Sequence, residues 1–354
     1  MTRVNPTLLI ITNMGPKASA PFQGQFVANQ VAELQAQGQA ADYHYMRWHS
    51  DSLLNRVLKY PVFLLDFARR FLFSRQRYQI IHVHFFYPSI LLALLYRMVR
   101  NRHVKIVVTC HGSDIYYYQP PSKLYRWCAA QVQAWVFTSE RLRQQFFFTP
   151  QRQQILSAGI QGRYATALCL PLAEKDIDIL YVGSLDKNKG MDRLLALLPE
   201  LSHCRIVVAG TGPWQTELAD AARRFSHLQL VGGQSPVQLQ ALYQRARCFI
   251  SLSRNESFGL VMAEAMACYT PVVATETDGS LAQIVPGVTG YCVSQQQCES
   301  QLVQQLVNNI QQLLTLSAEQ YAVMQQACRL QAEPVLLPRV VSRLRQLYQD
   351  VNND

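Results

Sequence analysis

The stretch Ser251-Leu-Ser-Arg-Asn-Glu256-Ser-Phe-Gly259-Leu-Val-Met-Ala-Glu264-Ala-Met-Ala-Cys-Tyr-Thr-Pro271-Val-Val-Ala274 decides the fold. Its first residues complete Cys248–Leu252, an apolar run of strand length. A polar turn follows. Phe258–Cys268 is then apolar on nearly every side and long enough for a buried helix. Pro271–Ala274 is a second apolar strand. Two strands joined this closely by one helix run parallel, because only a crossover returns the chain in the same direction.

The alternation extends both ways. Toward the N-terminus, strands are expected at Thr7–Thr12, Ile80–His84, Lys105–Thr109 and Trp135–Thr138, and helices at Gln25–Gln37, Ser89–Arg100 and from Glu140 onward. Gly38 stops the first helix. Beyond residue 170, strands are expected at Ile177–Val182, Arg205–Ala209 and Leu228–Leu230, with helices at Asp192–Leu198, Trp214–Arg224 and Pro236–Arg245. Two such series imply two doubly wound parallel sheets, an α/β fold. The pattern breaks across Tyr164–Asp176, near Pro171. We therefore divide the chain into residues 1–168, 169–336 and a last segment, 337–354. Helical spacing of Val340, Leu344 and Leu347 gives that segment one apolar face.

Composition narrows the class. With 354 residues, 49% apolar and 16% charged, the chain is long enough for two cores and too apolar to be disordered. Nine cysteines form no Cys-x-x-Cys pair, which suits a reducing compartment such as the cytoplasm better than a disulfide framework. The N-terminal run reads as a first strand and not as a signal peptide. Ile80–Val99 is apolar, but His82, His84, Pro88 and Arg97 argue against a membrane span. Charge is uneven. Residues 1–170 hold 19 Lys/Arg against 6 Asp/Glu, and residues 171–354 hold 14 against 17. A basic half implies an anionic partner on that side. Within it, residues 52–79 mix Arg56, Lys59, Arg69, Arg70, Arg75 and Arg77 with Leu, Val and Phe. That stretch could seat the chain on an anionic membrane surface, and equally fits a core helix with solvated arginines. No nucleic-acid-binding motif accompanies the charge.

In open parallel sheets, ligands meet the carboxyl ends of strands. Glu256 falls in the turn after such a strand, and Ser257, Phe258, Gly259 and Leu260 lead into the helix, where free amides favour anions. Glu264, eight residues after Glu256, sits in an otherwise apolar helix, so its carboxyl needs a partner. After Ile177–Val182 come Gly183, Ser184 and then Lys189-Gly190, again a strand-to-helix turn. Gly210-Thr-Gly212 follows the next strand; it lacks the third glycine of a dinucleotide fingerprint. In the first half, His111-Gly-Ser-Asp114 follows a strand, and Gln23-Gly24 precedes a helix. Asp114 suits an Asx turn, while His82 and His84 alternate on a strand and read as buried. Asp176-Ile-Asp178 reads as a strand entrance.

These motifs together resemble the retaining family 4 glycosyltransferases of the GT-B fold. Glu256 and Glu264 match that family's Glu-x7-Glu signature, with Tyr269 where glycine is usual. Lys189 matches the lysine of its pyrophosphate loop, with Ser184 in place of arginine, and His111–Asp114 matches its His-Gly-x-Asp motif. Gln283 stands where the family often has an acid. The resemblance implies two Rossmann-like domains facing a cleft, with the last helix crossing back to the first. It implies catalytic roles for His111, Glu256 and Lys189. Donor contacts would come from Gly24, Gly183, Ser184, Lys189, Gly210, Gly212, Glu256, Ser257, Phe258, Gly259, Leu260 and Glu264. It further implies transfer of a hexose-type sugar from a nucleotide sugar, with uridine diphosphate the commonest carrier. The acceptor would be a glycan or lipid-linked molecule of cell-surface polysaccharide or lipopolysaccharide synthesis, and no metal or other cofactor is expected. The implied location is cytoplasmic, peripheral on the inner membrane face. The competing readings are a catalytically silent sugar-nucleotide-binding relative and another GT-B activity such as a nucleotide-sugar epimerase.

Overall fold

Strands buried on both faces organise the chain. In the computed structural model, which describes residues 7–16, 23–47 and 52–353, Leu8–Thr12 and Ile80–His84 are buried at every position. The residues before Thr7 in the N-terminal run lie outside that range. Such continuous burial is the mark of parallel sheets covered by helices on both sides.

The first unit comprises Met1–Gly159 and Leu337–Asp354. Its strands are β1 (Leu8–Thr12), β2 (Ala41–Tyr45), β3 (Ile80–His84), β4 (Lys105–Cys110), β5 (Ala134–Phe137) and β6 (Gln153–Ile155). They form one parallel sheet in the order β2-β1-β3-β4-β5-β6. The C-terminal helix Leu337–Asn352 belongs to this unit. Its Val340, Val341, Leu344 and Leu347 join the cluster of Val27, Val31 and Leu34 on the helix Gln25–Ala36.

The second unit is Ile160–Leu336. Its strands are β7 (Ile177–Val182), β8 (Ile206–Ala209), β9 (Leu228–Gly232), β10 (Ala246–Ser251), β11 (Val272–Thr275) and β12 (Gly290–Val293). They form a second parallel sheet, β12-β11-β10-β7-β8-β9. The unit starts at Ile160, nine residues ahead of the division drawn at 168/169. The Ile160 N–H donates to the Val335 carbonyl at 2.9 Å, and Ile160 and Tyr164 bury in the second core. Pro171 opens only a short 3-10 turn, Leu172–Glu174.

Chain order reverses between β1 and β3 in the first sheet and between β7 and β10 in the second. At such a reversal neighbouring crossovers leave toward opposite faces, and their loops open a crevice at the strands' carboxyl ends. Among the described residues, no helix is long and apolar enough to cross a membrane.

Candidate functional site

The loops after β7 and β10 meet at the reversal of the second sheet. Past β7, the Gly183 N–H donates to the Ala209 carbonyl at 3.0 Å, and the Ser184 carbonyl accepts the Tyr181 hydroxyl at 2.9 Å. Ser184 itself is exposed. Asp186 Oδ1 then accepts the Lys189 N–H at 2.9 Å and closes a turn. Gly190 takes a left-handed φ of 78° and starts the helix Met191–Leu197. A Cβ on Gly190 would overlap the Leu252 carbonyl oxygen, so only glycine lets this loop lie against the end of β10. A Cβ on Gly210 would likewise overlap the Gly183 carbonyl oxygen, and one on Gly212 would press on Leu185. These two glycines interlock the loops after β7 and β8.

From the β10 side, Glu256 pairs its carboxylate with the Lys189 ammonium. The side chains are 27% (Lys189) and 19% (Glu256) exposed, open enough to reach a ligand and dry enough to strengthen the pair. The helix expected from Phe258 begins two residues later and spans Leu260–Ala267. Gly259 is left-handed (φ 75°), and neighbouring backbone is drawn elsewhere. The Gly279 N–H donates to the Glu256 carbonyl at 2.9 Å, and the Gln283 side-chain amide donates to the Phe258 carbonyl. Ser257 and Phe258 therefore belong to the loop, and Leu260 opens the helix.

Glu264 lies half-buried on that helix. It accepts the Tyr243 hydroxyl at 3.1 Å, and Tyr164 also hydrogen-bonds it. Burial pushes its carboxyl up to about 7, against the lowering effect of the two tyrosines. Glu264 is thus poised between acceptor and donor near neutral pH. Arg254, in the turn before Glu256, is committed to the neighbouring loop. It pairs with both Asp192 oxygens at 2.9 and 2.8 Å, and its second guanidinium contact is the Lys187 carbonyl at 2.7 Å. It braces the two loops. Asp176 and Asp178 are engaged by arginines, Asp176 by Arg205 and Arg245 and Asp178 by Arg247.

The corresponding end of the first sheet holds no comparable ion pair among the described residues. His84 and His111 meet at 3.0 Å, Nδ1 to Nε2. His82 lies 4.4 Å from His84, ring to ring, and contacts the Thr109 hydroxyl at 2.7 Å and the Tyr348 hydroxyl, from the C-terminal helix, at 2.6 Å. Burial drives His82 and His111 down to about 3 and His84 down as well, so all three are neutral imidazoles near pH 7. The His84 Nε2 is buried without a hydrogen-bond partner among the described residues. An orphaned N–H costs more than an orphaned lone pair, which assigns the His84 proton to Nδ1. His111 then accepts at Nε2 and carries its own proton on Nδ1. Asp114 fixes the loop: one oxygen takes the N–H groups of His111 and Gly112, each at 2.9 Å, and the other takes that of Phe86 at 2.9 Å. Gly24 caps Gln25–Ala36, whose Phe26 ring sits 5.0 Å from His111.

Several supporting residues escaped the sequence reading: Asp186, Tyr164, Tyr243 and Tyr348. Each is an ordinary polar or aromatic residue whose partner is fixed by the fold; only the isolated Glu264 signalled that something must answer it. Among the described residues, no group of three or more His, Cys, Asp or Glu is placed to hold a metal ion.

Two family models match the chain: glycosyltransferase family 4 over residues 24–148, and glycosyl transferases group 1 over residues 170–331. A curated relative, D-inositol 3-phosphate glycosyltransferase of Mycolicibacterium paratuberculosis, is 39% identical over 137 residues, which is 36% of this chain and 30% of that protein. The chain thus spans about a third of the length of the curated relatives it matches. Among solved structures, sucrose-phosphate synthase of Thermosynechococcus elongatus superposes with a TM-score of 0.73 at 17% identity, covering 98% of this chain and 99% of that one. Anabaena HepE in complex with UDP gives a TM-score of 0.71 at 13% identity, covering 97% and 100%. At these identities the likeness to both structures is one of fold.

Proposed function

The chain belongs to the family 4 glycosyltransferases of the GT-B fold, and from that premise we propose that it moves a sugar from a nucleotide-sugar donor to an acceptor hydroxyl with retention of configuration. The observation that carries this reading is the Lys189–Glu256 pair, held across the chain reversal of the second sheet. Lys189 is assigned to the donor diphosphate. Its charge offsets that of the departing group, the largest electrostatic demand of the reaction. Glu256 accepts hydrogen bonds from hydroxyls of the transferred sugar, and Glu264 from those of the ribose. The donor nucleotide is assigned as uridine diphosphate, with support from the solved complexes of HepE with UDP and with UDP-glucose.

In this mechanism the bond from the anomeric carbon to the diphosphate breaks as the acceptor oxygen approaches the same face. The acceptor proton passes to an oxygen of the leaving phosphate. Lys189 and the amides of the Gly259–Leu260 turn hold the new negative charge. His111, neutral and presenting Nδ1–H, is assigned to hydrogen-bonding a reacting hydroxyl. Positioning supplies most of the rate, so the protein needs no covalent nucleophile. No metal is assigned, because Lys189 fills the charge-stabilising role. The acceptor is assigned as a glycan or lipid-linked hydroxyl.

The test is release of nucleoside diphosphate from a panel of UDP-, GDP- and ADP-sugars. The reading expects turnover with at least one UDP-sugar and a loss of about 100-fold or more in Glu256→Ala. Absence of release from every donor would leave only a sugar-nucleotide-binding role. An inverted anomeric centre in the product, read by NMR, would overturn retention.

A further inference from the structure

The helix Leu53–Phe67 carries apolar residues on the side that faces water. Its Phe63 and Phe67 bury in the first core. Leu54, Val57, Leu58 and Leu65 lie on the nearly opposite face, at positions i, i+3, i+4 and i+11, and are 69%, 73%, 42% and 68% exposed. A helix that simply covers a core puts polar residues there. The same segment is strongly cationic. Residues 52–79 hold six Lys/Arg and one acid, Asp66, and Arg69, Arg75 and Arg77 are exposed.

From this pairing we infer that Leu53–Phe67 and the arginines after it form a docking surface for an anionic lipid bilayer. The leucines enter the boundary between headgroups and acyl chains, while the guanidiniums stay at phosphate level on their long stems. Charge complementarity selects this occupant. A second copy of the chain, meeting this face about a two-fold axis, would set one cationic segment against another. A bilayer rich in acidic headgroups neutralises both the segment and the basic first unit. The placement also has a consequence. The Asn13 side chain, just past β1, reaches the Tyr60 hydroxyl of this helix, so the surface sits beside the carboxyl end of the first sheet. A bilayer docked there brings headgroup-level hydroxyls toward the loops of Gly24 and His111. The binding itself does not depend on the donor assignment.

The experiment is co-sedimentation of the full chain with vesicles of phosphatidylcholine alone and of phosphatidylcholine mixed with phosphatidylglycerol. Binding to the mixed vesicles is expected to be at least about tenfold tighter and to weaken with added salt. Leu54→Ser/Leu58→Ser/Leu65→Ser and, separately, Arg69→Ser/Arg75→Ser/Arg77→Ser are each expected to lower it about tenfold or more. A Leu58→Trp variant gives a readout without disruption, with its emission shifting to the blue on adding mixed vesicles. Equal affinity for both vesicle types, no binding, unshifted Leu58→Trp emission or a triple-leucine variant that binds like the parent would each overturn the inference. So would a parent chain that ignores vesicles but forms a dimer which the leucine substitutions dissolve.

Discussion

The carboxyl ends of the two sheets are built from opposite materials. The second sheet ends in charge: Lys189 against Glu256, braced by Arg254 on Asp192. The first ends in a row of neutral imidazoles, His82, His84 and His111, with Phe26 and Phe85 packed on the last. One end suits a group that carries and releases negative charge. The other suits hydroxyls, which need directed hydrogen bonds and no counter-ion. On the proposed reading, the leaving charge falls to the second unit and the acceptor hydroxyl to the first, so each half can be broken alone.

The largest expected effect follows directly. Lys189→Ala should weaken nucleotide-sugar binding by about 10- to 100-fold, because a charge-assisted contact is lost and Glu256 is left unpaired. His111→Ala should leave donor affinity within about threefold while lowering turnover by about tenfold or more. Titration calorimetry and product release separate the two, and equal losses of affinity would erase the distinction.

Next comes the backbone beneath the charged end. Gly190→Ala should cost about 3 kcal/mol or more, since its Cβ has no room beside Leu252. Gly38 shares a left-handed φ of 83° but has nothing within 4 Å of a Cβ, and Gly38→Ala should cost only about 1 kcal/mol. Urea unfolding measures both.

The two ends should also answer pH in opposite senses. Unfolded histidines take up protons near their ordinary 6.5, whereas His82 and His111 resist until about 3. Their contribution to the first unit is complete above about 6.5 and is lost as pH falls toward 3. Glu264 runs the other way. Burial raises it from 4.5 to about 7, so its contribution is complete below about 4.5 and is lost as pH rises through 7. Between those limits stability should rise with pH in the first unit and fall in the second, each by an amount on the order of a few kcal/mol. Native-state hydrogen exchange reads each sheet separately, and Glu264→Gln should flatten only the second slope.

The smallest effect concerns Tyr269, a non-glycine residue at φ 59° whose ring lies 5.9 Å from the Arg329 guanidinium carbon. Tyr269→Gly relieves the backbone and removes a weak cation–π contact, so stability should move by less than about 1 kcal/mol.

How far the sequence could be read follows from the same physics. The central strands β1, β3, β4, β7, β8, β10 and β11 stand out as apolar runs because both faces are covered. The edge strands β2, β6 and β12 were not expected. Ala-Asp-Tyr-His-Tyr in β2 and Gln-Gln-Ile in β6 need no such run, since one side of an edge strand has no neighbour. At the site, Lys189, Glu256 and His111 were legible as turn residues after buried strands. Their supports were not. Gln283 reaches Phe258, Tyr243 reaches Glu264 and Tyr348 reaches His82 across 25, 21 and 266 residues, contacts that no local spacing encodes. The glycines at 210 and 212 were legible as a loop after a strand, but their interlock with Gly183 and Leu185 required the sheet order.

The most direct test of the central claim is amide hydrogen exchange on the full chain, with and without a saturating nucleotide sugar. UDP-glucose and other sugar donors can be tried in turn. The account predicts slowed exchange at residues 183–190 and 256–262 with at least one donor, and loss of that protection in Lys189→Ala. Protection by no donor, or protection confined to segments away from β7 and β10, would contradict it.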